Sequence, residues 1–200
     1  MKKTCIAISL LLNAGILLAQ SQEPPALWED EFKNEYNREP MHATYFAYES
    51  KELALQNDPS QSKYFKSLNG NWKFNWVDKP ANRPLGFWKI NFDDSHWTDF
   101  PVPAMWEMNG YGIPIYTNIR YDFDYLMKPD PPKVPEQYNP VGSYRKEILV
   151  DKNWKGKDIY IKFGAVRSCF SLWVNGQWVG CGEESKLAAE FNITRSRHPG

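Results

Sequence analysis

The stretch Phe170-Ser171-Leu172-Trp173-Val174-Asn175-Gly176-Gln177-Trp178-Val179-Gly180 decides the fold. Asn-Gly supplies the two positive φ angles of a type I′ turn, and the runs on either side are rich in aromatic and aliphatic residues. The reading is an antiparallel hairpin with a two-residue loop. Such a loop fixes register: Val174 faces Gln177, Trp173 faces Trp178, and Phe170 is expected to face Cys181. Trp173 and Trp178 are expected to stack side by side. With Phe170 opposite Cys181, Cys169 would lie on the other face of the sheet, so Cys169 and Cys181 are read as two buried free thiols.

Working outward, the same period of two recurs. Trp72, Phe74 and Trp76 alternate with Lys73 and Asn75 behind the turn residues Asn69-Gly70. Further strands are expected around Val102 and over Ser143 to Val150, Asp158 to Phe163, Cys169 to Val174, Gln177 to Cys181 and Glu190 to Ile193. Loops rich in Pro and Gly separate them, the longest from Met108 to Val141, and no alternation of strands with long helices appears. The pattern predicts an all-β, antiparallel jelly-roll sandwich over residues 67–200. With Pro199 unable to donate to a ladder, that sandwich is expected to be incomplete at its C-terminal end.

Residues 20–66 read differently. Trp28, Phe32, Tyr36, Tyr45, Phe46, Tyr48, Tyr64 and Phe65 occur without strand or helix period. This segment is expected to be an extended, aromatic-rich N-terminal arm that wraps the core and inserts its rings, with a short helix around Glu49 to Gln56. Residues 1–19 carry Lys2 and Lys3, then an apolar run from Ile6 to Leu12 that continues through Ala14 to Ala19 before polarity returns at Gln20. That order is a secretory signal peptide, which implies an exported, periplasmic or extracellular protein.

Composition narrows the function classes. The 200 residues hold 9 Trp, 11 Tyr and 11 Phe, and 24 basic residues balance 24 acidic ones. Balanced charge gives no electrostatic footprint for nucleic acid or an anionic membrane surface. His42, His96 and His198 lie far apart with no metal-ligand spacing, and no nucleophile elbow or phosphate loop is present, so neither a catalytic residue nor a metal ligand is assigned. The carboxylate pairs Asp93-Asp94 and Glu183-Glu184 read as solvated turn residues. What remains is a loop rich in rings and amides, Pro103-Ala104-Met105-Trp106-Glu107-Met108-Asn109-Gly110-Tyr111-Gly112 and then Pro114-Ile115-Tyr116-Thr117-Asn118. Flat rings match the C–H faces of sugars, and amides both donate to and accept from vicinal hydroxyls.

Those blocks, together with Ser67-Leu68-Asn69-Gly70-Asn71-Trp72-Lys73-Phe74, Asn139-Pro140-Val141-Gly142-Ser143-Tyr144-Arg145 and the 170–180 hairpin, resemble the start of the long bacterial β-galactosidases of glycoside hydrolase family 2. The resemblance runs from about Trp28 to about Ile193. It implies an N-terminal sugar-binding jelly roll packed against its own C-terminal catalytic (β/α)₈ barrel, with Asn118 reaching the galactose of a β-galactoside substrate. The two glutamates of retaining hydrolysis, and the residues that chiefly bind magnesium and sodium, are implied to lie downstream on the barrel. Homo-oligomeric assembly is likewise implied for the whole protein. Two other readings stand beside it: a free-standing carbohydrate-binding module without hydrolytic activity, and a structural sandwich that mediates assembly.

Overall fold

The computed structural model describes residues 27–196, except 117, 121–123, 125–127 and 129. The segment read as a signal peptide, and Pro199, lie outside the described residues.

Among the described residues the chain forms eight strands in three antiparallel sheets: β1 (Glu35–Tyr36), β2 (Gly70–Val77), β3 (Thr98–Val102), β4 (Val141–Arg145), β5 (Tyr160–Phe163), β6 (Phe170–Val174), β7 (Gln177–Gly182) and β8 (Ala189–Asn192). The sheet orders are β1-β7-β6, β3-β2-β4 and β5-β8. The all-β, antiparallel architecture read from the sequence is therefore what the chain adopts. One short helix, α1 (Lys51–Gln56), lies where the sequence placed it, capped by the Ser50 side chain on the Leu53 amide and closed by Asn57 at φ 52°. No helix of the described residues is long and apolar enough to cross a membrane.

β2 is the central strand of its sheet because its side chains alternate. Phe74, only 1% exposed, sits on the inner face among Phe100, Tyr144, Tyr111 and Trp106, with ring centroids 4.5, 4.6, 5.0 and 6.5 Å away. Opposite Trp76, β4 carries Gly142, and a Cβ there would meet the Trp106 ring at 2.6 Å. β4 ends at Arg145, short of the expected Val150. The Arg145 guanidinium there leaves the ladder to bind Asp94 at 2.7 Å, the Lys89 carbonyl at 3.0 Å and the Phe87 carbonyl, tying the 86–97 loop to the sheet. Asp94 is thus a structural ion-pair partner rather than a solvated turn residue.

A second core forms where β6 and β7 pack on β5 and β8, around Ile161, Val179, Ala189 and the fully buried Phe191. The hairpin turn is as expected, with Asn175 at φ 51° and Gly176 at φ 79°, and Trp173 does face Trp178. Beyond that pair the register shifts: Leu172 faces Gly180, Ser171 faces Cys181, and Phe170 faces Gly182. Val179 is the extra residue of a β-bulge, so the expected pairing of Phe170 with Cys181 is wrong by one. The tryptophans do not choose each other as stacking partners either. Trp173 stacks on Trp88 at 5.1 Å and Trp178 on Tyr36 at 4.8 Å.

The shift also changes the argument about sulfur. Cys169 falls opposite Glu183, its thiol 3.5 Å from the carboxylate, and shares a face with Cys181 on the diagonal. Diagonal positions lie roughly 7–8 Å apart, beyond the usual reach of a disulfide, and both thiols are free. Cys181 is buried as expected, whereas Cys169 is half-buried.

The arm is held at many points. β1 pairs with β7, Glu35 facing Gly182 and Tyr36 facing Cys181. The Glu183 amide donates to the Asn34 carbonyl at 2.9 Å, and the Glu39 amide donates to the Glu190 carbonyl of β8 at 2.8 Å, so one segment laces two sheets together. Asn37 donates its side-chain amide to the carbonyl of the bulged Val179 at 2.8 Å. Not every ring is inserted: Phe32 and Tyr45 stay 87% and 71% exposed.

Two outcomes follow from this packing. A Cβ on residue 180 would stand 2.2 Å from the Tyr36 carbonyl oxygen, so Gly180→Ala should cost about 1–3 kcal/mol and lift the arm, read as a lower Tm and tryptic cleavage after Lys33 and Arg38. Unchanged melting and digestion would contradict it. Burial, with the Glu183 charge second, pushes the Cys169 thiol up to about 12, and burial pushes Cys181 up as well. A raised folded value means that the protonated thiol's contribution is intact below the ordinary thiol range and is lost as pH climbs from there toward about 12. Iodoacetamide in mildly alkaline buffer should therefore leave both thiols unmodified until the protein is unfolded, when both react without reductant. A linked Cys169–Cys181 peptide in non-reduced mass spectra would refute the unbridged assignment.

Candidate functional site

The loop after β3 is built from the inside out. At Glu107–Asn109 the chain makes one tight helical turn, ended by Gly110 at φ 86°, and the Tyr111 amide returns to the Trp106 carbonyl at 3.1 Å. Asn109 closes the turn with its side-chain amide on the Met105 carbonyl at 2.8 Å. The Tyr111 hydroxyl lies 3.1 Å from the Thr98 hydroxyl, and its ring stands edge-on to Phe74. Further on, the Tyr138 hydroxyl accepts from the Ile113 amide at 3.0 Å.

These contacts correct part of the sequence reading. Trp106 and Tyr111 pack half-buried against Phe74 on the inner face of the β3-β2-β4 sheet, and Asn109 is a turn residue. Burial, then the nearby Glu107 charge, pushes the Tyr144 phenol up to about 12, which marks the same region as desolvated. The rings and amides turn outward only after Pro114. Tyr116 is 86% exposed, Ile119 is 89% exposed, and Asn118 is an exposed bend residue between them. A phenol ring and an amide two residues apart can offer a sugar one apolar face and one donor–acceptor pair.

Other expected features sort plainly. Among the described residues no group of three or more His, Cys, Asp or Glu side chains could hold a metal ion. His42 faces Glu190 at 3.5 Å and leans on the Tyr45 ring, far in sequence from His96. Glu183 and Glu184, read as solvated turn residues, instead line one cleft together with Asn34, Glu35, Arg38 and Met41. The sequence hid this cleft because a two-residue strand such as β1 has no period to read.

With that geometry in place, the comparisons bear on the same residues. The family model described as "Glycosyl hydrolases family 2, sugar binding domain" matches residues 65–200. The β-galactosidase of Priestia megaterium is 39% identical over 158 residues, covering 79% of this chain and 15% of that protein. That of Psychromonas ingrahamii is 39% identical over 167 residues, covering 84% and 16%. That of Vibrio cholerae is 43% identical over 129 residues, covering 64% and 12%. Among solved structures, a Bacteroides uniformis β-glucuronidase aligns with a TM-score of 0.46 at 23% identity, over 66% of this chain and 13% of its own. The chain spans about 15% of the length of the curated relatives it matches. The matched residues hold β2 through β8 and the 103–119 loop, and on that match the chain belongs to glycoside hydrolase family 2, through its sugar-binding domain.

Proposed function

We propose that this chain is the N-terminal sugar-binding part of an exported β-galactosidase that releases terminal galactose with retention of configuration. The observation that carries the reading is the match of residues 65–200 to the family's sugar-binding domain, alongside identities of 39–43% to β-galactosidases. Retaining hydrolysis uses two carboxyl groups about 5–5.5 Å apart, one as acid and base and one as nucleophile. In this proposal both are glutamates of a (β/α)₈ barrel beyond these residues, as are the main ligands of magnesium and sodium.

What this chain contributes is position. Asn118 stands on an exposed bend whose stem is fixed by Tyr111 and Tyr138, so its amide can reach out of the domain without the core moving. An amide there orients a sugar hydroxyl by donating and accepting at once, which holds the ring against the barrel's carboxylates. Export, from the leader-like residues 1–19, and assembly into a homo-oligomer complete the proposal.

Asn118→Ala in the full-length enzyme tests it. Loss of one oriented hydrogen bond should lower kcat/KM for a β-galactoside by about 1–3 kcal/mol, roughly ten- to a hundredfold, with the Tm unchanged because the side chain is exposed. Wild-type kinetics in the variant would return Asn118 to an ordinary loop residue.

A further inference from the structure

The outer face of the β5–β8 sheet gathers polar side chains beside an open ring. Ile161, Phe163, Ala189 and Phe191 pack into the second core, so the period of two sends Tyr160, Lys162, Glu190 and Asn192 to the opposite side. Register sets Tyr160 across from Asn192 and Lys162 across from Glu190. Residues directly across an antiparallel pair stand about 4.5–5.5 Å apart, and residues two apart on one strand stand about 7 Å apart. The four therefore outline a patch on the scale of a single monosaccharide. The arm borders it: the Glu39 amide donates to the Glu190 carbonyl at 2.8 Å, and His42 Nε2 comes to 3.5 Å from Glu190 Oε2.

These groups lie close together without using up one another's hydrogen-bonding capacity. Lys162 Nζ is 4.0 Å from Glu190 Oε2, and that contact and the one from His42 are longer than a well-formed hydrogen bond. The other ring nitrogen of His42 donates to the Ala43 carbonyl at 2.8 Å. Asn192 accepts from the Thr194 amide at 3.0 Å through its side-chain oxygen, and its NH₂ group has no partner among the described residues. All of them can be reached from solvent: Tyr160 is 47% exposed, and the side chains of Lys162 and Glu190 are 38% and 24% exposed. One ammonium opposite one carboxylate decides the class of ligand. An anion drawn to Lys162 meets Glu190, and a cation drawn to Glu190 meets Lys162. A hydroxyl accepts from an ammonium or an amide and donates to a carboxylate, so neighbouring hydroxyls serve all three groups and bring in no charge. The phenol ring beside them suits the C–H face of a sugar. A protein partner would call for an apolar centre, which one ring among polar side chains does not supply.

We propose that the outer face of β5 and β8 binds a neutral sugar, its C–H face on the Tyr160 ring and its vicinal hydroxyls shared among Asn192 Nδ2, Lys162 Nζ and the Glu190 carboxylate. The face shares no residue with the 103–119 loop, and it stands whether or not Asn118 contacts substrate.

Acetylation of lysines by an activated ester, read peptide by peptide in the full-length protein, gives a local answer. Galactose or glucose, titrated to saturation, should slow labelling of Lys162 and leave Lys155 unchanged. Tyr160→Ala removes the ring, and Asn192→Asp keeps the oxygen that serves the Thr194 amide while removing the NH₂ group. Each variant should raise the sugar concentration needed for protection about tenfold. Labelling of Lys162 that neither sugar slows, or protection that survives at full strength in either folded variant, overturns the proposal. Stronger protection by galacturonate than by the neutral sugars overturns it too, since that marks an anion site at Lys162. If Tyr160→Ala fails to fold, Asn192→Asp decides alone. Protection of Lys162 should persist in Asn118→Ala, and its loss there would assign the effect to the 103–119 loop and overturn the proposal. The Asn118→Ala kinetics are a separate reading, so failure at one place is not mistaken for failure at the other.

Discussion

The arm can join the domain only because residue 180 has no side chain. With the Tyr36 carbonyl oxygen 2.2 Å from where a Cβ would stand, and Phe191 and Asn37 at 3.0 and 3.2 Å, this is a contact between backbones that no other residue permits. The bulge at Val179 is its counterpart. An extra residue breaks the β6–β7 ladder locally, and Asn37 from the arm donates to the Val179 carbonyl. A buried carbonyl left alone would cost about 1–3 kcal/mol, so the bulge and the arm stabilise each other. From this one close approach follow the β1 pairing, the link from Glu39 to β8, and the placing of Arg38 against Glu183 and Glu184.

The other sheet is organised around Phe74 by a similar economy of volume. Gly142 leaves the space that the Trp106 ring fills, and Tyr111 closes the rim edge-on. Each fully buried aromatic of this kind contributes roughly 1.5–3 kcal/mol of transfer free energy, and losing one leaves a cavity as well. The consequence for function is indirect but firm. Because the rings of residues 106 and 111 pack against Phe74, the loop stem is anchored to the sheet, and farther along the loop Tyr116 and Ile119 face solvent. Sites on rigid stems lose less conformational entropy on binding than sites on free loops.

How much of this was legible in the sequence depended on period and distance. The Asn175-Gly176 turn, the Trp72-Phe74-Trp76 alternation and the α1 position were readable because each is set by neighbours within a few residues. The bulge was not, since Val179 looks like any strand residue until Asn37, 142 positions away, meets its carbonyl. The same holds for Trp106 and Tyr111: a ring in a loop reads as exposed until Gly142 is seen to make room for it. Asn118 was singled out by likeness to a family, and its exposure adds only that the amide is available. The Arg38 cleft had no sequence signal at all, because its members come from residues in and around a two-residue strand and from the segment just after β7, more than a hundred residues later.

The free thiols bear on that cleft as well. Burial keeps Cys169 protonated far above neutral pH, so its hydrogen is available to Glu183 under any ordinary condition. A thiol is a weak donor, and at 3.5 Å it occupies Glu183 Oε1 from the sheet side only. A carboxylate has about four lone-pair positions, which leaves the cleft side of Glu183 with acceptor capacity to spare. Had Cys169 been bridged to Cys181, that donor would be lost and Glu183 would be better served by water alone. The unbridged pair, the bulge that put them on one face, and the acceptor surplus opposite Arg38 are therefore consequences of one register shift at Val179.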